Sequence, residues 1–187
     1  MFHLLRIGIF LSLFVLPVRA EEYKIPKTIF ILVDGIPADV LEKVATPNLE
    51  KIGHYTRAYV GGEVGEKSQS PTISAVSYNS LLTGTWANKH NVWGNDVKNP
   101  NYQYWDIFRI AKNHNPALRT ALFSTWQDNR TKLIGDGLES AGGKKLDYTF
   151  DGFEHDTKRF PHDDKSHYIR DIDELVASEA ANHIVKN

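Results

Sequence analysis

The chain has no cysteine among its 187 residues. That excludes disulfide scaffolds, thiolate zinc sites and cysteine nucleophiles. A metal would have to be held by oxygen and imidazole, and eight His with 23 Asp and Glu make such donors plentiful. An excess of one charge is also missing, since 22 basic against 23 acidic residues leave a formal net charge of -1. A nucleic-acid polymer needs a clustered basic face, so none is expected as a partner. Internal repeats and low-complexity segments are absent, and after the first twenty residues no apolar run is long enough to cross a bilayer. What remains is a chain that is 41% hydrophobic and 24% charged, enough for a packed core and contrary to disorder. Its length favours one domain.

The start of the chain reads as a targeting segment. Arg6 precedes the apolar residues 7–16, and Pro17, Val18, Arg19 and Ala20 follow, with Val18 and Ala20 fitting a small-residue cleavage pattern. The run is far short of the ~20 residues a membrane helix needs. Residues 1–20 are therefore expected to be a signal peptide. Residues 21–187 are expected to be the mature portion, periplasmic or secreted, with no membrane span after cleavage.

Residues 28–33 form a continuous apolar, β-branched run ending at Asp34-Gly35. The pattern predicts a fully buried parallel strand that leaves a carboxylate at its C-terminal edge, where open α/β sheets build their sites. Short helices are predicted over residues 37–44 and from Pro47, the latter with Thr46 as its cap and Pro at the first helical position. Residues 57–60 read as a second strand, 74–82 as a helix closed by Thr83-Gly84, and 86–102 as a long polar loop. A helix over 104–112, a strand over 119–124, a helix from Gln127, a weaker strand over 148–150 and an amphipathic helix over 166–185 complete the pass. Alternating strands and helices imply an α/β fold with a mainly parallel sheet sandwiched by helices. A crossover helix normally returns to the sheet, so a chain closing on a helix is expected to be incomplete at the C-terminus.

Three positions carry chemistry. Asp34 opens a loop at a strand end, where a divalent metal would neutralise it; Asp is equally a favoured helix cap. Ser74 follows a Pro turn at the start of a helix, where backbone N–H groups and the dipole favour an anion. Its hydroxyl could attack phosphorus, or it could simply cap the helix. Asn95 lies in the long loop. His155-Asp156 and His162-Asp163-Asp164 are further candidate donors in a polar stretch where charges are usually only solvated. His167 and His183 fall on the last helix as surface or half-buried residues. Trp86, Trp93 and Tyr102 could stack on a base or pack within the loop. Asn129-Arg130-Thr131 is a glycosylation sequon that matters only in a eukaryotic secretory pathway.

Together, Ser70-Pro71-Thr72-Ile73-Ser74, Ser80-Leu81-Leu82-Thr83-Gly84 and His90-Asn91-Val92-Trp93-Gly94-Asn95 resemble the nucleophile segment of the nucleotide pyrophosphatase/phosphodiesterase family, within the alkaline phosphatase superfamily. Thr83-Gly84 follows Ser74 by nine residues, as in that family. Asp34 in Val33-Asp34-Gly35 falls on its first metal-binding Asp, and Thr46-Pro47-Asn48-Leu49 on its short helix. The likeness is good over roughly residues 27–95. The departures are Ser in place of a common Thr nucleophile, Asn91 in place of Gly, and Ala75-Val76-Ser77-Tyr78 in place of Phe-Pro-Asn-His. Thr72 is the reserve nucleophile. The sulfatase pattern x-Pro-x-Arg after the nucleophile is missing.

The resemblance implies an alkaline-phosphatase-like fold and a metal-dependent hydrolase of small phosphate esters. Two divalent ions, in that family usually Zn2+, would be used, Asp34 and Ser74 would be ligands, and Asn95 would bind a phosphoryl oxygen. Ser74 would form a covalent phosphoseryl intermediate, and the remaining ligands are expected beyond Asn187. A phosphomonoesterase of the same superfamily and a catalytically incomplete phosphate-binding fragment are the alternatives. Oligomeric state stays open.

Overall fold

A computed structural model describes residues 27–187. The expected signal peptide lies outside the described residues. By internal compactness the chain divides after Ile31. In the first unit, described residues 27–31 have no regular structure, and Ile29, Phe30 and Ile31 are exposed.

The second unit, Leu32–Asn187, carries the secondary structure. Its elements in order are α1 (Ala38–Leu41), α2 (Pro47–Ile52), α3 (Ser74–Thr83), α4 (Ala87–His90), α5 (Ile107–His114), β1 (Ala121–Phe123), β2 (Tyr148–Phe150) and α6 (His167–Lys186). A π-helical segment, Asn129–Ile134, and a 3-10 turn, Glu139–Ala141, lie in the crossover between the strands, and a second 3-10 turn, Phe153–His155, follows β2. β1 and β2 pair in parallel with Ala121 opposite Tyr148 and Phe123 opposite Phe150. This is an α/β arrangement whose sheet has two strands among the described residues.

Two expected strands are corrected. Residues 28–33 and 57–60 form no strand, and Val33 and Tyr59 are 66% and 80% exposed. A run buried on both faces becomes a strand only where neighbours satisfy its backbone and cover its side chains. The two-stranded sheet pairs with neither run. The long loop is also partly wrong, because α4 forms within it. Asn91 caps α4 in the left-handed region (φ 57°), which Asn tolerates better than most residues. That explains how it stands where Gly is common.

The core forms in two parts. Ala75 and Val76 of α3 pack with Ala87, Val92, Val97 and Leu133. Phe160, Ile172 and Val176 pack with Phe123 and Phe150, seating α6 on the sheet. Gly84 ends α3 at φ 64°, the left-handed closure Gly adopts at no steric cost. Asp106 caps α5 by accepting from the N–H groups of Phe108 and Arg109 at 2.9 and 3.0 Å. Its other oxygen meets Lys145 Nζ at 2.9 Å. Lys145 is only 1% exposed, and it donates also to the carbonyls of Ile134 and Ala141, so all three ammonium protons are used.

Candidate active site

α3 begins at Ser74, preceded by Ile73 in extended conformation. The turn before it is tight, with the Ile73 N–H donating to the Pro71 carbonyl at 2.9 Å. Ser74 is the first helical residue and makes no cap bond. Its hydroxyl donates instead to Asp34 Oδ2 at 2.7 Å, across 40 residues of sequence. Asp34 Oδ1 accepts the Gly35 N–H at 2.8 Å. The carboxylate is held below the usual range chiefly by the Ser74 hydroxyl; partial burial acts the other way, and Tyr78 and the Gly35 N–H add to the lowering.

Asn95 reaches the same place from the loop after α4. Its Oδ1 accepts the Ala75 N–H at 3.0 Å, satisfying one of the orphan donors of the first turn of α3. Its amide NH2 carries two further donors. The cleft is lined by Asp34, Thr72, Ile73, Ser74, Ser77 and Asn95. Val92 and Val97 fix the Asn95 loop by burying their side chains in the core.

His90 locks α3 to that loop. It is fully buried. Its Nδ1 accepts the Val92 N–H at 3.1 Å, so the proton sits on Nε2, which donates to Ser80 Oγ at 3.0 Å. Ser80 Oγ in turn donates to the Val76 carbonyl at 2.9 Å. Burial depresses the imidazole to about 4, so it is neutral near pH 7.

Of the residues singled out in the sequence, the structure brings Asp34, Ser74, Asn95 and the reserve Thr72 to one cleft. The His and Asp cluster does not join them. His162 Nε2 lies 3.0 Å from the Glu154 carbonyl and its ring stacks on Tyr168. His167 lies 3.4 Å from Asp163, and His183 packs on Tyr148 with the rings tilted. Tyr102 donates to the Lys132 carbonyl and packs where a Cβ on Gly135 would collide with its ring, a structural role. The Trp93 indole donates to Asn91 Oδ1 at 3.0 Å. The Asn129 amide donates to Ser124 Oγ at 2.9 Å within the fold. Sequence reasoning missed Tyr78, which stands four residues after Ser74 on α3 and helps to lower the Asp34 carboxyl. The i, i+4 spacing was the available signal.

The model of one protein family, type I phosphodiesterase / nucleotide pyrophosphatase, matches residues 28–177. The chain belongs to that family. No curated protein matches the chain, and no solved structure does. The matched span includes Asp34, Ser74 and Asn95, and it extends through the sheet into α6.

Type I phosphodiesterases are generally metal-dependent, so the donors need comparison with a metal's demands. Asp34 and Ser74 offer two converging oxygens, which suits part of a divalent-metal shell. A zinc site takes four ligands. No group of three His, Asp or Glu able to hold an ion occurs among the described residues. The cleft therefore fits one side of a metal centre and does not close it. No helix among the described residues is long and apolar enough to cross a membrane.

Proposed function

We propose that the protein hydrolyses phosphodiester or pyrophosphate bonds of small substrates with Ser74 as nucleophile. The observation that carries this is the 2.7 Å hydrogen bond from the Ser74 hydroxyl to Asp34 at the head of α3. A serine at that point has an acceptor for its proton and a helix N-terminus beside it for an anion. Ser74 Oγ attacks phosphorus, its proton passes to water, and the bond to the leaving oxygen breaks. A phosphoseryl intermediate results, and water then cleaves it to regenerate the serine. The Asn95 amide and first-turn N–H groups bind a non-bridging oxygen, where charge develops.

Two divalent ions, zinc by family precedent, complete this reading, with Asp34 and Ser74 holding one of them. Bound there, the ion would supply stabilisation of the serine alkoxide. The chain's own part is to orient the hydroxyl through Asp34 and to bind the phosphoryl oxygen. The same reading takes the protein as exported, with residues 1–20 as its signal peptide. It takes the fold as part of an alkaline-phosphatase-like sandwich.

The test is turnover of bis(4-nitrophenyl) phosphate against 4-nitrophenyl phosphate by the wild-type protein and by Ser74→Ala and Thr72→Ala. The diester is expected to be preferred. Ser74→Ala is expected to lose turnover while keeping its circular dichroism spectrum, and Thr72→Ala to keep both. Loss in Thr72→Ala with retention in Ser74→Ala would move the nucleophile to Thr72. Preference for the monoester would favour a phosphomonoesterase.

A further inference from the structure

We propose that His90 is a positioning residue that acts on the reaction through Asn95, by holding the loop that carries Asn95 in register with the first turn of α3. The inference rests on Asn95 as the binder of a phosphoryl oxygen and goes beyond it by naming what holds Asn95. The loop has no regular structure of its own. Residues 91–106 form no helix or strand, and Asn95 itself is exposed. Its side chain meets α3 through the Ala75 N–H at 3.0 Å. That bond keeps its geometry only if loop and helix keep a fixed offset.

His90 supplies that offset with three of its polar atoms. It is the last residue of α4, and the loop begins at the next residue. Towards the loop, Nδ1 accepts the Val92 N–H at 3.1 Å. Towards α3, Nε2 donates to Ser80 Oγ at 3.0 Å, and the Ser80 proton is already committed to the Val76 carbonyl at 2.9 Å. The tautomer is therefore fixed from both sides. The backbone carbonyl of His90 accepts the Asn101 N–H at 2.8 Å, which closes the loop at its far end. The side-chain amides of Asn101 and Asn91 brace the same closure, donating to the Lys89 and Asn99 carbonyls at 3.1 and 2.8 Å. Between these points Val92 and Val97 are buried, one on each side of Asn95 in the chain. An apolar side chain would fill the place of the imidazole equally well. What histidine adds is a donor and an acceptor on one rigid ring, which ties two backbone segments at one spacing.

The test uses the full chain with His90→Gln. The glutamine amide extends to the Nε2 position and keeps a donor for Ser80, while the Val92 N–H loses its acceptor. Amide hydrogen exchange of Ala75 reads the consequence directly, because a first-turn N–H has no partner within its helix. Protection of Ala75 is expected to fall at least about tenfold, with amides of α6 unchanged. With bis(4-nitrophenyl) phosphate, kcat is expected to fall roughly tenfold to a hundredfold with KM little changed, as for a donor displaced from where charge develops. In an Asn95→Ala background the same substitution is expected to cost no further kcat, since a residue acting through Asn95 is silent once Asn95 is gone. Unchanged protection of Ala75 would overturn the proposal. An equal loss of kcat in both backgrounds, or loss of protection throughout α6, would overturn it too, because packing would then account for His90. If the wild-type protein turned over no phosphate ester, the proposed function would fail while exchange at Ala75 still decided whether His90 holds Asn95.

Discussion

At the residue scale, the cleft rests on a few polar contacts whose removal has distinct signatures. Asp34→Asn keeps the shape but loses the charge that suits a divalent ion. Zinc retained after dialysis is expected to drop in that variant, and unchanged zinc would remove Asp34 from the ligand set. Lys145 makes a different kind of contact, since its ammonium is buried with Asp106 and two carbonyls. Lys145→Met strands the Asp106 carboxylate in the interior, and breaking a buried pair in this way costs about 3–5 kcal/mol. Urea unfolding should show that loss, and a change below about 1 kcal/mol would mean the pair is not held as described. The meeting of Asp34, Ser74 and Asn95 in one cleft was legible in the sequence because they sit at fixed local spacings around Val33-Asp34-Gly35, Pro71, Thr83-Gly84 and His90. Tyr78 and Lys145 were not. Their meaning depends on partners brought from elsewhere in the chain, such as Asp106, 39 residues from Lys145.

At the element scale, the local pattern of the sequence found α3, α5, α6, β1 and β2 where the structure has them, to within a few residues. Gly84 and the apolar spacing of α6 were sufficient signals. α4 escaped because four residues capped by a left-handed Asn carry no periodic pattern. Residues 28–33 read as a strand because their composition suits one, but a strand also needs neighbours. The α3–α4 junction has its own pH signature through His90. An exposed imidazole in the unfolded chain titrates near ~6.5, against about 4 in the fold. Between those values the unfolded chain binds the extra proton, so stability falls as pH drops through that window and levels off below it, as far as this group is concerned. Asp147 adds a second phase. The Lys112 ammonium, helped by the Thr120 N–H, holds its carboxyl at about 2. Its contribution is full above the ordinary carboxylate value of ~3.9 and is lost as pH falls towards the folded value. Urea midpoints from pH 7 to 4 should therefore decline less steeply in His90→Gln than in wild type. Equal slopes would contradict the buried neutral histidine.

At the scale of the whole molecule, packing is uneven. The segment before α3 exposes Ile52, Tyr59 and Val64 at 84%, 80% and 90%, while both core clusters lie from Ala75 onwards. Regions with few buried contacts open first. Brief proteolysis under native conditions should cut between residues 32 and 70 before it cuts in 74–187, and first cuts in α6 would contradict this. Family membership was legible from the nucleophile segment, whereas the extent of the sheet was not, since it depends on which strands find partners. The central claim is that Ser74 Oγ receives the phosphoryl group. Acid quenching during turnover of bis(4-nitrophenyl) phosphate, followed by peptide mass spectrometry, tests it most directly. A phosphoester on Ser74, missing in Ser74→Ala, is the predicted result. Turnover without any such adduct, or with the phosphoester on Thr72, would contradict it.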